Sequence, residues 1–387
     1  MKYALFSTLF TLLLSLTATS QDRPSLHSSL TVVDGHNDVI ITSILKGRDI
    51  GQRLDKGHTD IPRLIEGGVD VQLFAVWSND KKWQTNAFQH AGSQIDALEQ
   101  VLEKNSDRME LATQRSDVDR INAEGKIAAV IGIEGGNMIE SNLSYLEKLH
   151  QRGAIYLTLT WNYNLSWATA AAEAEEHRND PGLSDDGKKI IKKMNELGMM
   201  IDLSHSSKNT FYDVLEISTK PVLVSHSNAS ALTPHFRNLD DQQLAALKKN
   251  KGVIGVNFYS DFLDSGYVNR VEELYYRDHP RAGQGETAPS TGKMYASLSP
   301  ADQHRANTPM ENLLQHIDYL VSKVGIDHVA IGSDYDGIES PPQGLEDVSK
   351  LPHLTAALTH RGYSEEDIAK IMGENFLRIW SENEEKN

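Results

Sequence analysis

The chain has 387 residues, of which 39% are hydrophobic and 24% charged, as in an ordinary globular protein. Its formal net charge of −16 argues against nucleic acids and anionic membranes as partners. It contains no cysteine, so disulfides are excluded and any metal site must use histidine and carboxylate ligands.

The first 20 residues have the pattern of a signal peptide. Lys2 is their only charged residue, the stretch from Ala4 to Leu16 is mostly apolar, and small residues follow at 18–20. A transmembrane anchor is the alternative, although this apolar run is short for crossing a bilayer, which takes about 20 residues. We therefore expect an exported protein, periplasmic or secreted, with residues 21–387 as the mature chain and no membrane anchor after cleavage.

Short apolar runs alternate with helical patterns along the mature chain. Eight runs are predicted to be buried strands: Thr31–Gly35, Val69–Trp77, Ile127–Ile133, Ala154–Thr160, Met199–Leu203, Pro221–Val224, Val253–Asn257 and His328–Gly332. Helices are predicted at Ile61–Glu66, Ala87–Lys104, Leu143–Gln151, Ser184–Leu197, Ser207–Ile217, Asp240–Lys249, Pro309–Val324 and Ser364–Trp380. The alternation predicts an α/β fold in which residues 21–387 form a single (β/α)8 TIM barrel. An open doubly wound sheet is the alternative, although its glycine-rich nucleotide motif is missing after the first strand.

One long segment, at about 258–306, departs from this alternation. It is polar, rich in aromatic residues and contains three prolines. A connection of this length is usually functional or disordered. Because it follows the seventh predicted strand, we expect it to lie over the C-terminal face of the barrel as a lid or a dimer arm. A passive surface excursion is the alternative.

Side chains that can bind metals follow the predicted strands. His36 and Asp38 follow the first, Glu134 the third, and three further residues follow the fifth, sixth and eighth: His205, His226 and Asp334. The C-terminal ends of barrel strands converge on one face, so these side chains should meet there. Each of them alone would more often have a structural role. Their combination predicts a metal site.

The number of ligands suggests two metal ions. If Glu134 bridges them, each ion has three protein ligands: His36, Asp38 and Glu134 for one, and Glu134, His205 and His226 for the other. Nitrogen and oxygen ligands without thiolate suit zinc, with manganese, cobalt or iron as alternatives. Two ions about 3.5–4 Å apart can polarise a carbonyl group and hold a hydroxide. Asp334 would then be free to carry a proton.

These motifs resemble those of the renal (membrane) dipeptidase family of binuclear zinc peptidases, peptidase family M19, whose barrel is of the amidohydrolase type. The resemblance extends from about Val33 to Trp380. It rests on the segments His36-Asn37-Asp38, Glu134-Gly135-Gly136, Asp202-Leu203-Ser204-His205, Ser225-His226-Ser227 and Gly332-Ser333-Asp334-Tyr335-Asp336-Gly337. It implies a zinc-dependent enzyme that hydrolyses free dipeptides, including those with a C-terminal D-residue, often as a homodimer. Any dimer here must be non-covalent.

The resemblance also implies roles for single residues. The family's five metal ligands and its catalytic aspartate map onto the residues above, and its substrate-binding arginine maps onto Arg237. Without the resemblance, Arg237 would be taken for a solvated loop cation. The chain departs from the family at Trp161, where the renal enzymes have a histidine that helps to hold the substrate carbonyl oxygen. An indole can donate one hydrogen bond but cannot take up a proton. Tyr163 or the metal ions alone would have to supply that stabilisation.

Two other functions remain open at this point. A related amidohydrolase could use the same metals on a non-peptide amide, a β-lactam or a lactone, and a neutral substrate of that kind would not need Arg237. A metal-dependent binding protein whose catalysis has lapsed is the second alternative, and the departure at Trp161 is the observation in its favour. Retention of all five ligands and of Asp334 argues against it.

Overall fold

A computed structural model describes residues 25–279 and 289–384, and its strands form one parallel sheet. The strands in these two ranges are β1 (Val33–Asp34), β2 (Val71–Trp77), β3 (Met109–Leu111), β4 (Ile127–Glu134), β5 (Ala154–Thr158), β6 (Met200–Asp202), β7 (Leu223–Ser227), β8 (Val253–Val256) and β9 (Val329–Ile331). Eight of them follow one another around a nearly closed barrel in the order β1-β2-β4-β5-β6-β7-β8-β9. The predicted eight-stranded barrel is confirmed.

Hydrogen bonds at their C-terminal ends join the first and last strands. The Gly35 amide donates to the Ile331 carbonyl oxygen at 3.0 Å. The buried Asp34 carboxylate accepts the Ser333 amide at 2.9 Å and the Ser333 hydroxyl at 2.8 Å. The bonded residues Asp34, Gly35 and Ser333 directly precede His36 and Asp334 in the sequence. The bonds therefore hold β1 and β9 together at the point where the predicted metal-site residues begin.

Helices surround the sheet. They are α1 (Val39–Thr42), α2 (Ile61–Glu66), α3 (Ala87–Lys104), α4 (Arg115–Ala123), α5 (Leu143–Gln151), α6 (Ala171–His177), α7 (Asp185–Leu197), α8 (Lys208–Ile217), α9 (Asp241–Asn250), α10 (Ser260–Leu263), α11 (Tyr267–Asp278), α12 (Thr291–Ser297), α13 (Pro300–Ala306), α14 (Met310–Val324), α15 (Leu351–His360), α16 (Glu365–Ala369) and α17 (Asn375–Glu384). Ser184 and Ser364 cap the N-termini of α7 and α16, since each side chain accepts an amide hydrogen from the residue three positions later.

The core has an inner and an outer part. β4 is buried along its whole length, as expected for a parallel strand that is covered on both faces. Val130 in β4 and Tyr156 in β5 belong to an inner cluster that includes Phe376 and Trp380 of α17. A larger cluster lies between the strands and the surrounding helices. The last helix, α17, therefore contributes to the core of the barrel.

Some elements differ from the prediction. β3 was not predicted; it pairs with the first three residues of β4, before β5 begins to pair with β4 at Ile131. Helices α4 and α15 were also missed. The predicted helix Ser364–Trp380 consists of α16, a π-helical turn at Lys370–Glu374 and α17. A three-residue strand is too short to show a periodic pattern, which explains why β3 was missed.

The long segment at 258–306 is helical where the structure describes it. It contains α10–α13, and Tyr267, Val271, Met294 and Tyr295 form part of a small buried cluster of its own. Its role as a lid or dimer arm stays a prediction. The predicted signal peptide, 1–20, lies outside the described residues. Among the helices at 25–279 and 289–384, none has both the length and the apolar character needed to cross a bilayer.

Candidate metal centre and active site

The predicted site residues meet at the C-terminal ends of the strands. They surround a cavity of about 340 Å³, whose lining includes Asp38, Glu134, His205, His226, Arg237 and Asp334. His36 is completely buried and its Nε2 atom lies 3.4 Å from Glu134 Oε2 and 3.5 Å from Asp38 Oδ2. The strand-end argument had grouped six of these side chains in one region, and the family resemblance had added Arg237, which lies in the same cavity wall.

The imidazoles of His36 and His205 are oriented through their Nδ1 atoms. His36 Nδ1 lies 2.9 Å from the Tyr156 hydroxyl, whose own hydrogen points to the Gly35 carbonyl oxygen at 3.5 Å. His205 Nδ1 lies 3.0 Å from Asn162 Oδ1. Both partners accept a hydrogen bond in this arrangement, so each Nδ1 carries the hydrogen and each Nε2 presents a lone pair to the cavity.

His226 is oriented in the same way by a buried relay. Its Nδ1 atom lies 2.8 Å from Ser225 Oγ, and Ser225 Oγ donates to Asp202 Oδ2 at 2.6 Å. Asp202 also accepts the Ser225 amide at 2.8 Å and the Thr158 hydroxyl at 2.5 Å. Because the Ser225 hydroxyl hydrogen is used by Asp202, the His226 Nδ1 atom must donate. Its Nε2 atom is therefore free to coordinate a metal.

The three lone pairs converge on Glu134. Its Oε1 atom lies 3.1 Å from His205 Nε2 and 3.6 Å from His226 Nε2, and these two nitrogens are 3.0 Å apart. Within the described residues, His36 Nε2 has no hydrogen-bond partner. Lone pairs at these distances from one another and from a carboxylate repel unless a cation lies among them. The donor set fits a metal such as zinc, and ligand atoms of His36, Glu134 and His226 lie within 4.8 Å of one another.

The ionisation of His205, His226 and Glu134 agrees with metal binding. Burial lowers the pKa of His205 to about 4, and the Arg237 charge acts in the same direction. Burial also keeps the pKa of His226 well below its usual value, so both imidazoles are neutral near pH 7. Burial opposes ionisation of Glu134, but His36 and His205 outweigh it and hold the pKa of Glu134 below its usual range. Neutral imidazoles and an ionised carboxylate are the forms that bind metal. Burial lowers the pKa of His36, but Tyr156 and Glu134 outweigh it and raise that pKa well above its usual value, so a metal ion would have to displace a proton from His36.

Asp334 lies beside Asp38. Ligand atoms of His36, Asp38 and Asp334 also lie within 4.8 Å of one another, so His36 is common to both groups. A side chain at Gly337 would collide with Asp38 Oδ2 and Asp334 Oδ1, which explains why a glycine is needed there. Asn257 donates to Asp334 Oδ2 at 2.8 Å. Burial, and then the Asp38 charge, raise the pKa of Asp334 well above its ordinary value.

Two site residues adopt a backbone conformation that is unusual for side-chain-bearing residues. His205 has φ +65° and Asp334 has φ +62°, both in the left-handed region. Such conformations cost of order 1–3 kcal/mol and persist where the surrounding structure imposes them, often at functional sites. Here they turn the chain sharply after β6 and β9. The turns direct both side chains into the cavity.

Arg237 is a buried cation. It is only 5% exposed, its Nη2 donates to the His226 carbonyl oxygen at 3.4 Å, and its guanidinium lies 5.3 Å from the centre of the Phe262 ring. In the described ranges it has no carboxylate partner, and its Nε has no hydrogen-bond partner. Burial lowers its pKa to about 10. A buried, unpaired guanidinium at the wall of a cavity is suited to an anionic ligand, unlike a solvated loop cation.

Trp161 and Tyr163 occupy different positions. Trp161 lines the cavity, with its ring 4.9 Å from that of Trp77 in an edge-to-face arrangement and 6.4 Å from that of His205. Tyr163 packs behind Trp161 at 5.7 Å and lies under the Lys81 ammonium at 4.1 Å. It lines a neighbouring cavity, so the structure does not bring Tyr163 to the metal ligands.

Sequence reasoning missed the residues that orient the ligands. Tyr156, Asn162 and Ser225 hold the three imidazoles, and Asn257 holds Asp334. A polar residue inside an apolar strand, such as Tyr156 in β5, is a signal that could have identified one of them. Two aromatic residues of the cavity wall, Tyr259 and Phe262, were also missed. They come from the start of the long segment at 258–306.

Comparisons with known proteins agree with this geometry. The model of the family described as membrane dipeptidase (peptidase family M19) matches residues 21–387. Dipeptidase tcpJ of Claviceps purpurea (strain 20.1) is 35% identical over 338 residues, which are 85% of this chain and 70% of that protein.

Two solved structures extend the comparison. The probable dipeptidase PvdM from Pseudomonas aeruginosa is 26% identical, with a TM-score of 0.77 over 92% of this chain and 96% of that one. A metallopeptidase from Rhodobacter sphaeroides, liganded with a phosphinate mimic of the dipeptide L-Ala-D-Ala, is 26% identical, with a TM-score of 0.74 over 92% of this chain and 99% of that one. The chain therefore belongs to the membrane dipeptidase family, peptidase family M19, and is a hydrolase that acts on dipeptides.

Proposed function

We propose that the chain hydrolyses the peptide bond of free dipeptides with two zinc ions, bridged by Glu134, at the centre described above. The observation that carries this proposal is the pairing of two features in one cavity. Three imidazole lone pairs converge on Glu134, and an unpaired, buried Arg237 lies in the same wall. The first feature suits a Lewis acid, and the second suits the free carboxylate of a short substrate.

The metal ligands divide as the strand ends suggest. His36 and Asp38 would hold one ion and His205 and His226 the other, with Glu134 shared between them. When bound, zinc would polarise the scissile carbonyl and lower the pKa of a water molecule. The chain's contribution is to keep His205 and His226 neutral and to fix all three imidazoles through Nδ1.

Asp334 would carry the proton. It lies in the cavity wall beside Asp38, and Asn257 fixes one of its oxygens. We infer that Asp334 takes a proton from the attacking water and returns it to the leaving amine. The C–N bond then breaks, and the products are two free amino acids. Burial and the Asp38 charge raise the pKa of Asp334, so its ionised form is a stronger proton acceptor than a solvated carboxylate.

Arg237 would bind the C-terminal carboxylate of the substrate. Arg237 lines the same cavity as Glu134, His205 and His226, and its Nη2 lies 3.4 Å from the His226 carbonyl oxygen, so a carboxylate bound there would place the adjacent peptide bond near the centre. The apolar walls formed by Trp77, Trp161 and Phe262 would contact the substrate side chains. A C-terminal D-residue is proposed because the relative from Rhodobacter sphaeroides binds a mimic of L-Ala-D-Ala.

We also propose that the protein is exported and acts as a non-covalent homodimer. Export is supported by the signal-peptide pattern of residues 1–20. The dimer is supported by the resemblance to the dipeptidase family, and a covalent link is excluded because the chain has no cysteine. Size-exclusion chromatography with light scattering, applied to protein recovered from the periplasm or the medium, tests both statements.

The direct test combines metal analysis with a substrate panel. We expect two zinc ions per chain, and cleavage of L-L and L-D dipeptides but not of an N-blocked dipeptide or a tripeptide. The L-D results would establish the stereochemical range. Two metal ions with no cleavage of any dipeptide would contradict the assigned substrate, and one metal ion per chain would contradict the bridging role of Glu134.

A further inference from the structure

A second cavity, of about 550 Å³, lies beside the active site. Trp161 lines the first cavity and Tyr163 the second, and their rings pack against each other. Asp80, Asn137 and Glu173 also line the second cavity. The proposed hydrolysis of dipeptides uses none of these three residues, so their arrangement needs a separate explanation.

Asp80 is a buried carboxylate without a partner. It is 8% exposed, and neither of its oxygens has a hydrogen-bond partner among the residues that the structure describes. The ammonium group of the adjacent Lys81 does not pair with it but lies 4.1 Å from the centre of the Tyr163 ring. A buried charge with no compensating group is costly, so an isolated carboxylate here points to a ligand that supplies positive charge.

A second unpartnered oxygen faces the same place. Asn137 donates through Nδ2 to Ser78 Oγ at 2.8 Å, but within the described ranges its Oδ1 atom accepts no hydrogen bond. A side chain at Gly135 would begin 2.7 Å from Asn137 Oδ1 and 3.7 Å from Asp80 Oδ1. Both oxygens therefore lie close to one point. Gly135 leaves that point open, and its φ of +116° disfavours any other residue.

The electrostatic environment also favours a cation. Burial raises the pKa of Asp80 to about 7, and the negative charges of Glu134 and Glu173 act in the same direction. Glu173, in the first turn of α6, supplies a second carboxylate to the cavity. In the described lining, the buried oxygens without a hydrogen-bond partner are those of Asp80 and Asn137, and Glu173 adds a further carboxylate. Glu140 also lines the cavity, but one of its oxygens accepts the Phe88 amide. No histidine or cysteine is among these lining residues.

We propose that Asp80, Asn137 and Glu173 bind one hard divalent cation, such as calcium, at a site distinct from the catalytic centre. Calcium prefers oxygen ligands at about 2.3–2.6 Å and tolerates irregular geometry with water in the remaining positions. Zinc, in contrast, favours nitrogen and sulfur ligands, which this cavity does not offer. The bound ion would join the loop after β2, which carries Asp80, to the loop after β4, which carries Asn137.

The test is a calorimetric titration of the full mature chain, with its catalytic metals loaded, against calcium chloride. We expect one calcium ion per chain. Asp80→Asn should weaken binding at least tenfold, and Glu173→Gln should also weaken it. Asp185→Asn is the matched control, because its carboxylate is 91% exposed on α7 and its loss should leave binding unchanged.

Thermal unfolding provides a second measurement. Calcium should raise the unfolding midpoint of the wild type and of Asp185→Asn but not that of Asp80→Asn, since a ligand stabilises the state that binds it. Asp80→Asn removes an unpaired buried charge, so the variant should fold without calcium. If it does not fold, Glu173→Gln carries the test. The proposal is overturned if the wild type binds neither calcium nor magnesium, or if both variants bind calcium as tightly as the wild type.

Discussion

Arg237 shows how one residue can prepare a site for its ligand. The guanidinium is buried without a carboxylate partner among the described residues, and burial lowers its pKa. In the free protein, the Arg237 guanidinium has therefore lost most of its hydration without forming an ion pair that compensates for the loss. A substrate carboxylate that forms two parallel hydrogen bonds with it would recover part of this cost. Recognition of free dipeptides would follow from that recovery.

We predict that Arg237→Ala lowers kcat/KM for free dipeptides at least about 100-fold, which corresponds to about 3 kcal/mol and lies in the range for losing one partner of a buried charged pair. The kcat/KM of Arg237→Lys should lie between those of the wild type and Arg237→Ala, because an ammonium group keeps the charge but lacks the planar guanidinium that forms two parallel hydrogen bonds. Steady-state kinetics on an L-L dipeptide measures the change.

A dipeptide amide is the control substrate for this prediction. It lacks the C-terminal charge, so the wild type should cleave it poorly and Arg237→Ala should reduce that rate little further. Equal losses on the dipeptide and its amide would mean that Arg237 supports the fold of the site and does not contact the substrate carboxylate.

Asp334 can be tested by a nearly isosteric change. Asp334→Asn keeps an oxygen that can accept the Asn257 hydrogen bond, and asparagine tolerates the left-handed backbone at this position. It removes the titratable group, so kcat should fall about 10²–10⁴-fold while the metal content stays unchanged. Asp185→Asn, whose carboxylate is 91% exposed on α7, is the control and should change kcat by less than a few fold. Near-normal turnover of Asp334→Asn with both metals bound would refute the proton-transfer role.

At the scale of elements, glycines control how closely the strands of the barrel approach. A side chain at Gly332, just after β9, would overlap the Ser225 carbonyl oxygen and would lie 3.4 Å from the Gly255 Cα atom. Both neighbours are backbone atoms of other strands, so neither can move without shifting β7 or β8. Ser225 also orients His226. The packing of three strands and the position of a metal ligand are therefore linked.

We predict that Gly332→Ala destabilises the protein by about 1–3 kcal/mol or more and lowers its thermal midpoint, because the added methyl group overpacks the barrel. Gly92→Ala is the matched control. Gly92 lies inside α3, and nothing in the described part of the chain is within 4 Å of an added methyl group. That substitution should stabilise by about 0.5–1 kcal/mol. Calorimetry should show a lower unfolding midpoint for Gly332→Ala and a higher one for Gly92→Ala. An unchanged midpoint for Gly332→Ala would contradict the argument.

The elements that were predictable from sequence are those with a strong periodic pattern. β4 is covered on both faces and is a continuous apolar run, so it was recognised at Ile127–Ile133. β3 has only three residues and fills the space beside the first residues of β4, which is a tertiary requirement without a local pattern. The π-helical turn at Lys370–Glu374 depends on how the two flanking helices pack, and a simple helical pattern does not indicate it.

The candidate site was predictable for a different reason. The ends of parallel strands converge, so His36, Glu134 and His226 could be grouped from their places in the chain. The residues that orient these side chains could not be predicted in this way. Asn162 reaches His205 across a loop that has no periodic pattern, and Asp80 and Asn137 come together only once two loops have folded. Contacts between loops depend on the whole structure.

For the whole molecule, the proposed metal centre would connect four strands of the barrel. His36 follows β1, Glu134 ends β4, His205 follows β6 and His226 lies in β7. Without metal, three lone pairs and a carboxylate lie within a few ångströms of one another, and their repulsion opposes closure of this end. With metal, the same groups attract a common centre. The stability of the entire fold should therefore depend on the metal.

We predict that 1,10-phenanthroline abolishes activity and lowers the thermal midpoint of the wild type by several degrees, since a ligand that binds only the folded state stabilises it. This chelator has nitrogen donors, which bind transition metals and leave a calcium site alone. Glu134→Gln is the control, because it loses the shared ligand and also the central negative charge. Its midpoint should be low before the chelator is added and should hardly change afterwards. A wild-type midpoint that stays constant while activity disappears would show that the metal serves the chemistry without stabilising the barrel.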